Sequence, residues 1–72
     1  MKEKALELGF VYNRRGCSCS GSPFIYLATR NNVRYELTIW TSRDIWQLSA
    51  NNTNIAEGTA ADLTTKIQKL WD

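Results

Sequence analysis

Two asparagines, Asn31 and Asn32, separate two alternating runs of apolar residues, and this turn constrains the fold more than any other feature of the chain. Asparagine tolerates the positive φ angles that a two-residue hairpin turn requires. The runs 24–30 and 33–40 are therefore predicted to be neighbouring antiparallel strands with a fixed register. That register places three apolar pairs on one face of the sheet: Phe24 with Ile39, Tyr26 with Leu37, and Ala28 with Tyr35.

A third strand is predicted over residues 45–50, after the four-residue loop 41–44. A loop of this length sends the apolar residues of the third strand to the same face as those of the second. The predicted pairs are Trp46 with Ile39, Leu48 with Leu37, and Ala50 with Tyr35. Two loops of independent length thus agree on one apolar face, and such agreement between local signals is typical of a sequence that specifies a single fold.

Both ends of the chain predict helices. Residues 2–8 carry apolar and alternating charged side chains, and Gly9 then supplies the left-handed position that commonly ends a helix. A second helix is predicted from Thr59, with an apolar stripe at helical spacing formed by Leu63, Ile67, Leu70 and Trp71. Residues 10–15 are a candidate further strand, and residues 51–54 are expected to break the chain.

The predicted fold is a single small α+β domain over residues 1–72. It consists of a three- or four-stranded antiparallel meander with the N- and C-terminal helices packed on one face, in the order αβββα or αββββα. A chain of 72 residues and 8.2 kDa buries only about 60 % of the surface that its unfolded form exposes, so it has few core residues to spare.

The chain contains no histidine, which excludes Ser-His-Asp and Cys-His nucleophile systems and histidine metal sites within one chain. The carboxylates are spread over different predicted elements with no visible convergence. We therefore expect a protein that is not an enzyme and that uses no cofactor.

No apolar run approaches the roughly 20 residues that a membrane-spanning helix needs, and residues 1–10 lack the apolar centre of a secretory leader. These observations predict an intracellular, cytoplasmic protein with no membrane partner.

One face of the predicted meander is left without a helix. It carries Ile25, Leu27, Trp40 and Ile45 among polar residues. Because an exposed apolar patch usually marks a binding surface, these four residues are a candidate interface for a protein partner or for a homodimer.

A second candidate surface is an arginine-rich end of the sheet. If residues 10–15 run antiparallel to the strand 24–30, then Arg14, Arg15 and Arg43 lie at the same end. Residues 1–34 hold six basic and two acidic residues, whereas residues 35–72 hold three basic and five acidic ones. The arginines are therefore a candidate site for RNA, DNA or another anion, with ordinary solvated turn residues as the alternative.

The loop of small residues between these strands contains Cys17 and Cys19. Two thiolates at this spacing are candidate ligands for a metal shared across a dimer, or a redox pair. A disulfide between residues i and i+2 closes a small strained ring, so the sequence predicts two reduced cysteines with a loop or packing role.

Three short motifs resemble the opening of the HicA-type toxins: 8–10 (Leu-Gly-Phe), Arg14-Arg15, and 21–26 (Gly-Ser-Pro-Phe-Ile-Tyr). The resemblance covers about the first third of the chain. It implies an αβββα fold similar to double-stranded-RNA-binding domains, together with RNA binding. The family's active histidine corresponds to Pro23, so ribonuclease activity is not implied.

The function predicted from the sequence is that of a non-catalytic interaction domain, acting through the uncovered sheet face or the arginine-rich end. Nucleic-acid binding is the first alternative, and metal binding by Cys17 and Cys19 across a dimer is the second.

Overall fold

The computed structural model describes residues 2–71, and within them the chain forms a five-stranded antiparallel sheet with a helix at each end. The helices are α1 (Lys2–Glu7) and α2 (Leu63–Trp71). The strands are β1 (Val11–Arg15), β2 (Phe24–Arg30), β3 (Val33–Trp40), β4 (Ile45–Ala50) and β5 (Thr53–Thr59). Short 3-10 turns lie at Ser18–Ser20 and Ala60–Asp62, and the strand order in the sheet is the chain order, β1-β2-β3-β4-β5. The α+β class is confirmed.

The hairpin between β2 and β3 has the predicted turn and register. Asn31 and Asn32 adopt φ angles of 53° and 64°, the left-handed conformation that a two-residue turn needs. All three predicted apolar pairs of this hairpin are present. The three predicted pairs between β3 and β4 are present as well.

The prediction of three or four strands is wrong, because residues 53–59 form a fifth strand. Asn51 and Asn52 have φ angles of 52° and 69°, so they make a second turn of the same kind where a break in the chain was predicted. The strand that follows is mostly polar, and its register shifts where Ser49 pairs with Asn54 and Leu48 pairs with Ala56. Ile55 is the extra residue of this bulge, so the alternation that identifies a strand in a sequence is interrupted.

Strand β1 pairs with β2 and also contains a bulge. Tyr12 pairs with Tyr26, but the next residue of β2, Ile25, pairs with Arg14, so Asn13 is the extra residue. Since neighbouring residues of a strand face opposite sides, the bulge moves Arg14 to the face opposite Tyr12.

Helix α1 ends as the sequence predicts. Gly9 has a φ of 97°, its N–H donates to the carbonyl of Leu6 at 3.1 Å, and the N–H of Phe10 donates to the carbonyl of Ala5 at 3.0 Å. These two bonds form a Schellman cap, which turns the chain into β1 and brings Phe10 into the core at 1 % exposure.

The core lies between the two helices and one face of the sheet. Nine residues form it: Ala5 and Phe10 near α1, Tyr26, Leu37, Ile39, Trp46 and Leu48 on the sheet, and Leu63 and Ile67 on α2. The buried indole of Trp46 donates from Nε1 to the carbonyl of Thr59 at 2.8 Å, so its polar atom is satisfied. Burial, and then the nearby Tyr12, raise the pKa of the Tyr26 hydroxyl above its ordinary value.

Trp71 joins the end of α2 to the segment that follows α1. Its ring stacks on Phe10 with the centroids 5.6 Å apart, and its Nε1 donates to the carbonyl of Leu8 at 2.8 Å. Tyr35 meets the same indole edge-on at 4.9 Å. The predicted stripe is correct for Leu63, Ile67 and Trp71, but Leu70 is 45 % exposed because Trp71, at the last helical position, occupies the interior side.

Replacing Trp71 by Phe is expected to lower the free energy of unfolding by about 1 kcal/mol, because the carbonyl of Leu8 loses its donor while an aromatic ring is retained. Urea denaturation of the two proteins measures the difference. Leu70→Ala, on the exposed side of the same helix, is the matched control, with an expected change within about 0.5 kcal/mol. Equal losses in both variants would contradict the proposed role of the Trp71 bond.

Candidate functional site

The sheet face opposite the core is covered by neither α1 nor α2. Pairing partners share a face, so the register assigns each strand residue to one side of the sheet. We call the uncovered surface the open face. Its residues are Val11, Arg14, Ile25, Leu27, Thr29, Arg34, Glu36, Thr38, Trp40, Ile45, Gln47, Ser49, Asn54, Glu57 and Thr59.

The four predicted interface residues all lie on the open face, as a diagonal of apolar side chains. Trp40 pairs directly with Ile45, and both are half-buried. Leu27, also half-buried, pairs with Val11, which is 68 % exposed. Ile25 lies between these pairs and is only 6 % exposed, so it is more enclosed than the sequence indicates.

The charged residues of the open face are balanced in sign. Arg14 and Glu57 lie at its two edges, on the same row of paired residues. Arg34 and Glu36 lie two residues apart on β3, the middle strand. The face therefore carries positive charge at one edge and negative charge at the other, with no excess of either sign.

The predicted arginine cluster is divided by the structure. The antiparallel pairing of β1 with β2 does bring Arg14 and Arg15 to the end of the sheet near the 41–44 turn, which contains Arg43. Arg14 and Arg15 are successive residues, however, and they face opposite sides of the sheet. The three arginines consequently do not share one surface.

Arg15 is held by contacts within the chain. Its Nε and Nη2 donate to the carbonyl of Ser22 at 3.1 Å and 2.8 Å, and its guanidinium lies 4.1 Å from the centroid of the Phe24 ring. The ammonium of Lys2 lies at the same distance from that ring. These contacts give Arg15 a structural role at the base of the loop 16–23 between β1 and β2, which we call the cysteine loop.

The two cysteines form a disulfide with each other, which differs from the prediction that both are reduced. The 3-10 turn at Ser18–Ser20 begins at Cys17 and brings the Cα atoms of Cys17 and Cys19 to 5.3 Å, within the usual range for a disulfide. A disulfide offers no thiolate to a metal. Metal binding by these residues thus stays a prediction that concerns the reduced form only.

The cysteine loop folds back over one end of the open face. Gly21 has a φ of 87°, and a Cβ placed on it would lie 3.3 Å from Cδ1 of Trp40. This backbone conformation favours glycine, and the absence of a side chain also allows the loop to pack closely on the indole. The loop and the apolar diagonal therefore meet at Trp40.

A polar depression occupies the other end of the open face. Its lining residues are Arg34, Glu36, Ser49, Asn51 and Asn52. Within residues 2–71, no group of three or more Asp, Glu, Cys or His side chains is arranged to hold a metal ion.

Sequence reasoning missed Val11 and Glu57 as members of the open face. Val11 lies in a candidate strand whose register the sequence does not define, and Glu57 lies in the strand that the sequence does not predict. The second Asn-Asn pair was the signal that would have revealed this strand, because it is the same turn motif as the first.

Comparison with family models, with curated proteins and with solved structures found no match to this chain. The HicA-like resemblance stays a prediction, and the sheet has two strands more than the αβββα order that it implies. Neither α1 nor α2 has the length and apolar content that a bilayer crossing requires.

Arg15→Met is expected to lower the free energy of unfolding by about 1 kcal/mol, since the carbonyl of Ser22 loses two donors and the Phe24 ring loses its guanidinium. Arg14→Met removes the same charge from the neighbouring position and should change stability by less than about 0.5 kcal/mol. Chemical denaturation of both variants measures the contrast. If Arg14→Met proves the more damaging change, the structural role given to Arg15 is wrong.

Proposed function

We propose that this protein is a non-catalytic interaction domain that pairs with a second copy of itself through the open face. One observation carries the proposal: the uncovered face combines a diagonal of apolar side chains with equal numbers of basic and acidic ones.

The apolar residues of the open face supply the driving force. Both helices cover the other face, so Val11, Leu27, Trp40 and Ile45 have no helix above them. Removing apolar surface from water is favourable by about 25 cal/mol per Å², and a second sheet face of matching composition would remove it.

The charges favour a second copy over a nucleic acid as the occupant. A phosphate backbone selects surfaces with excess positive charge, whereas Arg14 and Arg34 on the open face are balanced by Glu36 and Glu57. A two-fold axis parallel to the strands exchanges the two edges of the sheet. It would place Arg14 opposite the partner's Glu57, and Glu57 opposite the partner's Arg14.

The area of the open face sets the expected strength of the dimer. Five strands about 4.8 Å apart, each about seven residues long, cover about 500 Å². Stable interfaces bury about 800 Å² on each partner, so this face alone supports a weak dimer that dissociates on dilution.

Leu27→Lys is expected to raise the dimer dissociation constant by at least about tenfold, because each copy would bury an ammonium in the interface. Analytical ultracentrifugation into the millimolar range measures the constant, and circular dichroism shows whether the variant folds. Leu70→Lys, the same change on exposed α2, is the matched control and should leave association unaltered. A wild-type protein that stays strictly monomeric throughout the range contradicts the proposal.

The edge charges provide a test that leaves the core untouched. Arg14→Glu and Glu57→Arg should each weaken the dimer by a few-fold, since each places like charges opposite one another at both edges. The doubly reversed protein restores opposite charges and should return to within about twofold of the wild type. If the two effects simply add in the double variant, Arg14 and Glu57 do not face each other and the proposed axis is wrong.

A further inference from the structure

We infer that the Cys17–Cys19 disulfide is a thiol–disulfide exchange site, whose substrates are low-molecular-weight thiols and their disulfides. The inference is independent of the proposed dimer and concerns the loop between β1 and β2.

The disulfide is accessible to a small thiol. Cys17, Ser18 and Cys19 are all exposed, although the same loop packs on Trp40 through Gly21. Exposure is one of the properties that distinguish labile or catalytic disulfides from structural ones, which resist reduction by glutathione.

The disulfide does not hold the fold together. It encloses Ser18 alone, so it joins no two elements of secondary structure and constrains the unfolded chain little. The loop is closed by other bonds: Gly16 N–H to the Pro23 carbonyl, Ser22 N–H to the Cys17 carbonyl, Gly21 N–H to the Ser18 carbonyl, and the two bonds from Arg15 to the Ser22 carbonyl.

The same bonds keep the two cysteines close when the disulfide opens. The 3-10 turn and its flanking hydrogen bonds use backbone groups and Arg15, none of which depends on the sulfur–sulfur bond. The reduced site is therefore a dithiol whose Cα atoms stay near their separation of 5.3 Å, ready to close again.

A hydrogen bond distinguishes the two sulfur atoms, so that Cys19 is attacked and Cys17 is the leaving group. The backbone N–H of Cys19 donates to Sγ of Cys17 at 3.3 Å, so negative charge on Cys17 is stabilised. An incoming thiolate attacks Sγ of Cys19, a bond forms between them, and the sulfur–sulfur bond breaks with its electron pair on Cys17. A second thiolate attacks the mixed disulfide and releases Cys19. Two thiols are oxidised to one external disulfide, and the two cysteines take up the two protons.

Equilibration with glutathione tests the exchange. After acid quenching and alkylation, mass spectrometry should find both cysteines alkylated in glutathione as well as in dithiothreitol, and both closed again in oxidised glutathione. Ser18→Ala, which retains both cysteines, is the control and should behave like the wild type. A disulfide that opens only in dithiothreitol is a structural one and overturns the inference.

The paired replacement of Cys17 and Cys19 by Ser tests the claim that the fold does not need the disulfide. This protein should unfold cooperatively with a midpoint close to that of the wild type. Loss of cooperative unfolding would show that the fold needs the disulfide, and it would also overturn the inference.

Two single variants test which cysteine is the leaving group. The pH at which alkylation is half-maximal should be lower for Cys17 in Cys19→Ser than for Cys19 in Cys17→Ser, because the backbone N–H of residue 19 donates to the sulfur of Cys17. The reverse order would assign the leaving group to Cys19 and would overturn the step as written.

Discussion

The register of the sheet depends on two pairs of asparagines held in the left-handed conformation. Asn31-Asn32 and Asn51-Asn52 each join two strands with the shortest turn that a hairpin allows. A slip of one residue at Asn31-Asn32 would exchange the two faces of β3, sending Leu37 to water and Glu36 to the core. A slip at Asn51-Asn52 would exchange the faces of β5 in the same way. The hydrophobic core and the open face are therefore fixed by the same local geometry.

The central three strands were predictable from the sequence because tight turns convert a local signal into long-range pairs. Once the turn at Asn31-Asn32 is recognised, the partners of Phe24, Tyr26 and Ala28 follow without further information. Strand β5 was not predicted because it lacks an alternation of apolar residues, and because its pairing with β4 is interrupted at Ile55. The exposure of Leu70 was not predicted for another reason. Helical spacing indicates the apolar side of α2, but it does not show which residue at the end of that helix contacts the segment that follows α1.

The candidate site was less predictable than the fold, since it depends on irregularities. Regular alternation would put Arg14 on the same side as Tyr12, and the bulge at Asn13 transfers it to the open face. The pairing of Cys17 with Cys19 likewise depends on a backbone turn that brings two nearby Cα atoms together. Bulges and 3-10 turns are set by tertiary context, so a hydrophobic pattern does not reveal them.

The two bulges have a consequence for how copies of this chain can assemble. Both lie in the edge strands, at Asn13 in β1 and at Ile55 in β5, while β2, β3 and β4 pair with one another without a register shift. An edge strand with an interrupted ladder is a poor template for another strand, so the sheet resists continuation from molecule to molecule into a filament. The association that we propose through the open face would stop at two copies instead, because two sheets stacked about a two-fold axis leave no third surface of the same kind.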